Sequence, residues 1–460
     1  MARNRRTDHG QVAQKPETAQ NAREVASLVL ARVTDDGAFA SRALDAELKR
    51  ASLPPRDAAL ATEIVYGALR VLPALDRVIA ERLTRADARM DSLVRATLRA
   101  ATYQLWHLNR LPTHAIVDES VRSVRAKRGA KLAGFVNAVL RKLADARPAE
   151  PAPPRALALP EWAERSLERA LGPERLARFV AQHAEAPALC LRAEQDRGAL
   201  LTQLRAALPA AGSGETLLSP LGVWLRRAGA PRSLPGYAEG AFSVQEEGAQ
   251  LLGLALGARE GERIADVCAG HGGKTTLLAR AVGPSGQLFA LDKDERKLKQ
   301  IPDELRRIGL ASVPLELHAV DLSVGTGGLD GGLDRVLVDA PCTGLGTVHR
   351  RPELLLRLQP DDPARLASLQ RSILRNAASL VRPGGLLAYA VCSPTREEGQ
   401  DVADAFSAEH PGFQRVREAP CEQLPAPDAT GVLQIGPWLV AEGASTAPDA
   451  YQLVMWRREG

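Results

Sequence analysis

The stretch Arg263-Ile264-Ala265-Asp266-Val267-Cys268-Ala269-Gly270-His271-Gly272-Gly273-Lys274-Thr275 decides the fold. An apolar run ends near Asp266, a glycine turn follows, and helical periodicity begins at Thr275. A P-loop needs Gly six residues before its lysine, but Cys268 stands there. A dinucleotide fingerprint would place its third Gly at Thr275, so that pattern fails too. What remains is a strand, a turn whose glycines let a ligand approach the backbone, and a helix. Further strands are predicted at Gln287–Leu291, Leu315–Ala319, Arg335–Val338 and Gly385–Ala390. Helices are predicted at Thr275–Ala281, Glu295–Ile308, Pro363–Leu380 and Glu397–His410. Such alternation means a doubly wound, largely parallel sheet.

The acidic residues after the next two strands suggest what the turn binds. Asp292 is placed to accept from both hydroxyls of a ribose. Asp321 is placed to accept from an adenine amino group. Such a site holds an adenosine carrying an amino acid and needs no phosphate cradle, a description that S-adenosyl-L-methionine fits. The alternative is that both are ordinary strand-end or capping carboxylates.

Two thiols follow strand-like runs, Cys342 after Val336–Asp339 and Cys392 after Leu386–Val391. A thiol at a strand end is an oxidisable and reactive choice. C5 of cytosine is a poor nucleophile until a thiolate adds to C6. A nearby carboxyl assists at N3, and a second base removes the C5 proton. Cys392, Cys342 and Asp339 supply these parts, whereas either cysteine alone reads as a small buried hydrophobe. His349-Arg350-Arg351 reads equally as a phosphate contact or as a solvated loop. His271 is given no catalytic role, and Cys190 and Cys421 fit no constellation.

The chain has 460 residues and five scattered cysteines without a Cys-x-x-Cys pair, so neither a metal site nor a disulfide framework is expected. No signal peptide or membrane-spanning run is seen, which implies a cytoplasmic protein. Residues 1–150 carry 26 Lys+Arg against 17 Asp+Glu, a net +9, and the remainder carries −4. A basic first third suggests a polyanion partner. Residues 1–20 read as a polar, disordered tail and 21–145 as a helical bundle. Within the bundle, helical spacing is clear at Arg23–Val33, Arg56–Val71, Ala74–Leu83 and Asp91–Leu108. Residues 146–160 read as a proline-rich linker, 161–235 as a small α+β segment, and 236–460 as the α/β domain.

Four motifs resemble those of the bacterial 16S ribosomal RNA cytosine-C5 methyltransferases of the B type, the Sun/Fmu family. They are Phe242-Ser243-Val244-Gln245-Glu246-Glu247, the Asp266–Thr275 loop, Asp339-Ala340-Pro341-Cys342-Thr343-Gly344, and Cys392-Ser393 with Glu397-Glu398. The bundle resembles NusB at Val65–Arg70, Ala101–Leu105 and Gly134–Arg141. The resemblance implies a NusB-like RNA-binding domain, an α+β RNA-recognition segment and a Rossmann-like class I methyltransferase domain. It implies that Cys392 is the nucleophile and that Cys342 serves product release. It implies that the cofactor is held by Cys268, Ala269, Gly270, His271, Gly272, Gly273 and Lys274 with Asp292, Asp321 and Asp339.

The implied partner is 16S rRNA, naked or in an early small-subunit particle, with no metal, no membrane and a monomeric enzyme. Three positions depart from the family. His271 replaces a proline, Glu194 replaces the Asn of Leu-Arg-x-Asn, and Asp449-Ala450-Tyr451 replaces Asp-Gly-Phe. Glu194 bears on RNA contacts, and the last change falls on a strand expected to close the sheet. Rival readings are a different RNA or DNA cytosine-C5 methyltransferase, with Cys342 as nucleophile in the DNA case, and a non-catalytic RNA-binding assembly factor.

Overall fold

The computed structural model describes residues 21–83, 90–108, 111–147, 159–182 and 186–460. Residues 1–20 and residues 148–158 of the expected linker lie outside the described residues. Two compact units result. The first carries α1 (Ala22–Thr34), α2 (Ala40–Ala51), α3 (Pro55–Arg70), α4 (Leu72–Ala80), α5 (Ser92–His107), α6 (Thr113–Arg128) and α7 (Ala130–Asp145), apart from the turn Leu69–Ala74.

In this bundle Asn21 caps α1 by accepting from the Arg23 and Glu24 amides, each at 3.0 Å. Asp91 caps α5 through the Val94 amide at 3.1 Å. Val94, Leu98, Ala101 and Leu105 recur at spacings of three and four and pack on Ile116, Val124, Val136 and Leu140. Gly67 is fixed by a neighbour, since a Cβ there would lie 2.0 Å from the Tyr103 ring. Among the described residues no single helix is long and apolar enough to cross a membrane.

The second unit opens with α8 (Glu161–Gln182), which is two helical stretches joined at a kink. Gly172, at φ 72° and ψ 168°, leaves the helical region at the expected stop after Leu171, and Pro173 starts the second stretch. Next come β1 (Leu189–Ala193), α9 (Arg197–Ala207), β2 (Gly212–Glu215), β3 (Gly222–Arg226) and β4 (Phe242–Val244). They form an antiparallel sheet in the order β2-β3-β1-β4, so Phe242-Ser243-Val244 is the edge strand of this smaller sheet.

The rest alternates: α10 (Glu247–Ala255), β5 (Arg263–Val267), α11 (Gly273–Val282), β6 (Gln287–Asp292), α12 (Glu295–Leu298), α13 (Ile301–Arg307), β7 (Leu315–Ala319), β8 (Leu333–Asp339), α14 (Asp362–Leu380), β9 (Val381–Val391), α15 (Gln400–Glu409), β10 (Phe413–Arg415), β11 (Leu433–Ile435) and β12 (Tyr451–Arg458). The order is β10-β12-β9-β8-β5-β6-β7, with β11 on β12. Strands β5 to β9 are parallel, and β12 runs antiparallel to β9. The last strand therefore lies inside the sheet, between β9 and β10. The helix expected over Glu295–Ile308 is two helices, because Pro302 lacks an amide and crowds the preceding turn. The helix expected from Glu397 begins at Gln400, with Glu398 turned into the core instead.

The central parallel strands are covered on both faces, while the edge strand β7 is largely exposed. Ile264, Leu288 and Leu337 face one apolar layer, and Ala265, Phe289, Val336 and Tyr389 face the other. The order reverses between β6 and β8 on either side of β5, and ligands bind at such reversals. The smaller sheet is pinned to α11 by buried charge. Arg192, 1% exposed, donates to Glu194, to Gln245, to the Gly273 carbonyl and to Thr276. Glu194 also accepts from Arg280 at 2.7 Å and from Ser243 at 2.6 Å. Glu194 is thus an internal tie, which removes the question of its effect on RNA contacts.

Asp266, at the end of β5, is buried and accepts from the Thr275 hydroxyl at 2.6 Å, while its Oδ1 has no partner. Burial pushes its carboxyl up to about 7, against hydrogen bonds from Thr275 and the nearby Lys274 charge. The unpaired Oδ1 suits a bound proton. A carboxyl raised in the folded state loses stability as pH rises from its unfolded value of about 4 toward 7. Asp266→Asn should therefore gain on the wild type between pH 5 and pH 8, by at most about 4 kcal/mol, read as the difference in thermal midpoints.

Candidate functional site

The glycine loop is shaped by backbone requirements. Gly272, at φ 82°, caps α11, and a Cβ there would lie 2.7 Å from Ile301. Cys268 holds φ 63° without being glycine, a strained choice of the kind that marks functional turns. The Ala269 amide donates to the Leu291 carbonyl at 2.9 Å, tying the loop to β6. Asp292 accepts from the Gly270 amide at 3.0 Å and from the Asp294 amide at 2.8 Å, with Lys297 at 3.8 Å.

A cleft of about 220 Å³ opens over the ends of β5, β6 and β8. It is lined by Cys268, Gly270, Asp292, Asp321 and Asp339, with Leu291, Val320, Leu322 and Ile373 as apolar walls. Asp321 accepts from the Ser323 amide and hydroxyl, which lower its carboxyl below the usual range. Ala269, His271, Gly272, Gly273 and Lys274 do not line the cleft. His271 is exposed and meets Gln300 at 3.2 Å. Lys274 donates at 2.6 Å to Asp339, which itself lines the cleft. Burial opposes the Lys274 charge, but the Asp339 carboxylate outweighs it and holds the ammonium above its usual range. The donor set fits S-adenosylmethionine. Three carboxylates suit hydroxyls, amines and a cationic sulfur, and the apolar walls suit a purine; Lys293 and Lys297 also line the cleft, with Lys297 beside Asp292.

The two thiols meet beside this cleft. Cys342 Sγ lies 3.1 Å from Cys392 Sγ. The hydrogen bond to Cys392, followed by burial, pushes the Cys342 thiol well up. Both loops hang on Glu398, which is 0% exposed. Its carboxylate accepts from the Thr343 amide (2.7 Å) and hydroxyl (2.6 Å), and from Ser393 (2.6 Å), Thr395 (3.0 Å) and Gln370 (3.2 Å). Gln370 also donates to the Pro341 carbonyl, and Gln452 to the Ser393 and Thr395 carbonyls. Sequence reading quoted Glu398 only within a motif and missed Gln370 and Gln452. A polar residue at a buried helix or strand position was the sole signal.

His349 and Arg350 are not the solvated loop, nor is Arg350 free for phosphate. His349 is 6% exposed. Arg350 pairs with buried Asp449 at 3.0 Å and donates to the Ala188 carbonyl at 2.8 Å. Among the described residues no cluster of His, Cys, Asp and Glu could hold a metal.

The 16S rRNA methyltransferase RsmB/F family matches residues 253–430, and the NusB family matches residues 20–145. The chain is 32% identical to the probable ribosomal RNA small subunit methyltransferase B of Bacillus subtilis, over 85% of this chain and 89% of that one. It is 34% identical to ribosomal RNA small subunit methyltransferase B of Vibrio vulnificus, over 88% and 95%. The crystal structure of PH0851 superimposes with a TM-score of 0.76 at 23% identity, covering 94% of this chain and 98% of that one, and shares the fold. With matches running through both units, the chain belongs to the 16S rRNA methyltransferase RsmB/F family, an S-adenosylmethionine-dependent methyltransferase with a NusB-family domain at its amino-terminal end.

Proposed function

We propose that the chain makes 5-methylcytosine in 16S rRNA through a covalent bond between Cys392 and C6 of the base. The observation that carries this reading is the Cys342–Cys392 pair beside the Lys274–Asp339 pair. The names of the relatives support ribosomal RNA as the substrate. An unpaired or extruded cytosine is required, because the reacting atoms are inaccessible inside a helix.

Asp292 and Asp321 hold the adenosine end of the cofactor, and Asp339 borders both cleft and base. Bound S-adenosylmethionine supplies an electrophilic methyl group to C5. Cys392 acts as thiolate while Cys342 keeps its proton and donates it to that thiolate in a hydrogen bond. Cys392 Sγ bonds to C6, and the C5=C6 electrons shift through C5 and C4 to N3, which takes a proton from water; Asp339, with Lys274 behind it, holds that proton in a hydrogen bond. The proton returns to water as C5 is alkylated and the C4=N3 bond reforms. The adduct makes Cys392 a neutral thioether, which removes the first cause of the raised Cys342 pKa. Cys342 then loses its proton to solvent and takes the C5 proton. The C5=C6 bond reforms and the C6–S bond breaks.

The helical unit, with the +9 charge of residues 1–150 behind it, grips RNA through backbone and shape.

Labelled methyl transfer to unmodified 16S rRNA, with a DNA control, tests the reaction. Cys392→Ala should abolish turnover and every protein–RNA adduct. Cys342→Ala should stall after methylation and accumulate an adduct that survives denaturing electrophoresis. The reverse pattern would assign the nucleophile to Cys342. Asp292→Ala loses charge-assisted hydrogen bonds of about 1.5–3 kcal/mol each. It should weaken S-adenosylmethionine binding by roughly tenfold or more, measured by calorimetry.

A further inference from the structure

A second cavity, of about 850 Å³, shares no lining residue with the cofactor cleft. Its walls come from α8, β1, β3 and the segment Pro437–Ala447. Its place follows from the strand order. The cofactor cleft lies over β6, β5 and β8, Cys392 follows β9, and Tyr451 opens β12. The Gly346 amide donates to the Cys392 carbonyl and the Ala450 amide donates to the Gly346 carbonyl, each at 3.0 Å. Tyr451 donates to Glu246 at 2.8 Å, and Glu246 lines the cavity. The cavity therefore begins beyond the nucleophile on the side away from the cofactor. Adjacent strands are about 4.8 Å apart, so one or two strand positions span about 5–10 Å. An adjoining nucleotide of an unstacked RNA strand reaches that far.

One wall is a platform. Trp224 lies against Gly212 and Gly214, and a Cβ on Gly214 would come 2.7 Å from the indole Nε1. The bare backbone lets the half-buried ring lie flat, and a flat aromatic ring in an RNA enzyme suits base stacking. Glu247, 2% exposed, is taken up by the protein itself, accepting from the Leu218 and Ser219 amides through Oε1. The cavity arginines are committed. Arg178 donates to the Trp438 and Val440 carbonyls, Arg226 to the Ser445 carbonyl, and Arg350 to Asp449. The matching ligand is thus a flat ring rather than a phosphate.

We propose that this cavity takes the base of the nucleotide next to the target cytosine, stacked on Trp224. The proposal rests on the RNA-methylating reading. The test uses the full chain with S-adenosylmethionine and the short 16S rRNA fragment that it binds most tightly. Abasic nucleotides are introduced one at a time on either side of each cytosine. One abasic position beside a cytosine should weaken binding at least tenfold. Ala181→Trp, on an exposed turn of α8 that lines the cavity, should weaken the intact fragment by the same factor. It should weaken the abasic fragment no further and leave S-adenosylmethionine binding unchanged. Equal affinity for all fragments would overturn the proposal, as would an Ala181→Trp chain that binds the intact fragment like the wild type. Absence of methyl transfer with the abasic pattern intact would instead overturn the methylation reading and leave the cavity assignment standing.

Discussion

A single buried carboxylate, that of Glu398, sets the geometry on which the chemistry depends. Burying an unpaired charge is costly, so its hydrogen bonds must be complete. Here they come from neutral donors on three segments: Thr343 beside Cys342, Ser393 and Thr395 beside Cys392, and Gln370 on α14. None of these donors can leave without exposing the charge to an apolar interior. The two cysteine loops are consequently held as one body, and the thiols lie 3.1 Å apart. At that distance only one sulfur can be ionised. The hydrogen bond to Cys392 and burial push the Cys342 thiol well up, and Glu398 and Asp339 add to that shift.

The sheet supplies the second constraint. Its parallel strands bring the ends of β5, β6, β8 and β9 to one edge, and the antiparallel β12 brings its beginning to the same edge. The carboxylates of the cleft, the Lys274–Asp339 pair, the two thiols and the second cavity follow one another along it. A strained loop at Cys268 and a left-handed Gly272 are tolerated there because Asp292, Leu291 and Arg192 hold the adjoining backbone.

Much of this was legible in the residues, because period and punctuation are local signals. The strands beginning at Arg263 and Gln287, the glycine turn and the α5 periodicity needed no tertiary information. The positions of Asp292 and Asp321 at one cleft followed from strand ends, while Asp339 was placed with them only through the family resemblance. What escaped was decided by packing. Glu194 looked like a surface departure but is sealed between Arg192 and Arg280. Arg350 looked like a phosphate contact but serves Asp449. Lys274 looked like a loop cation for the cofactor but turns to Asp339. Charge in a sequence does not reveal whether its partner lies in water or across the core. The broken helix at Pro302 was readable, since helical spacing there had been given more weight than the proline.

The central claim is that the Glu398 clamp leaves Cys392 as the reactive thiolate and keeps Cys342 protonated. The direct measurement is the order of alkylation of the two thiols by iodoacetamide as pH is raised, followed site by site by mass spectrometry on the folded chain. The account predicts that Cys392 is modified first, with Cys342 remaining unmodified until higher pH. Modification of Cys342 ahead of Cys392 would contradict it.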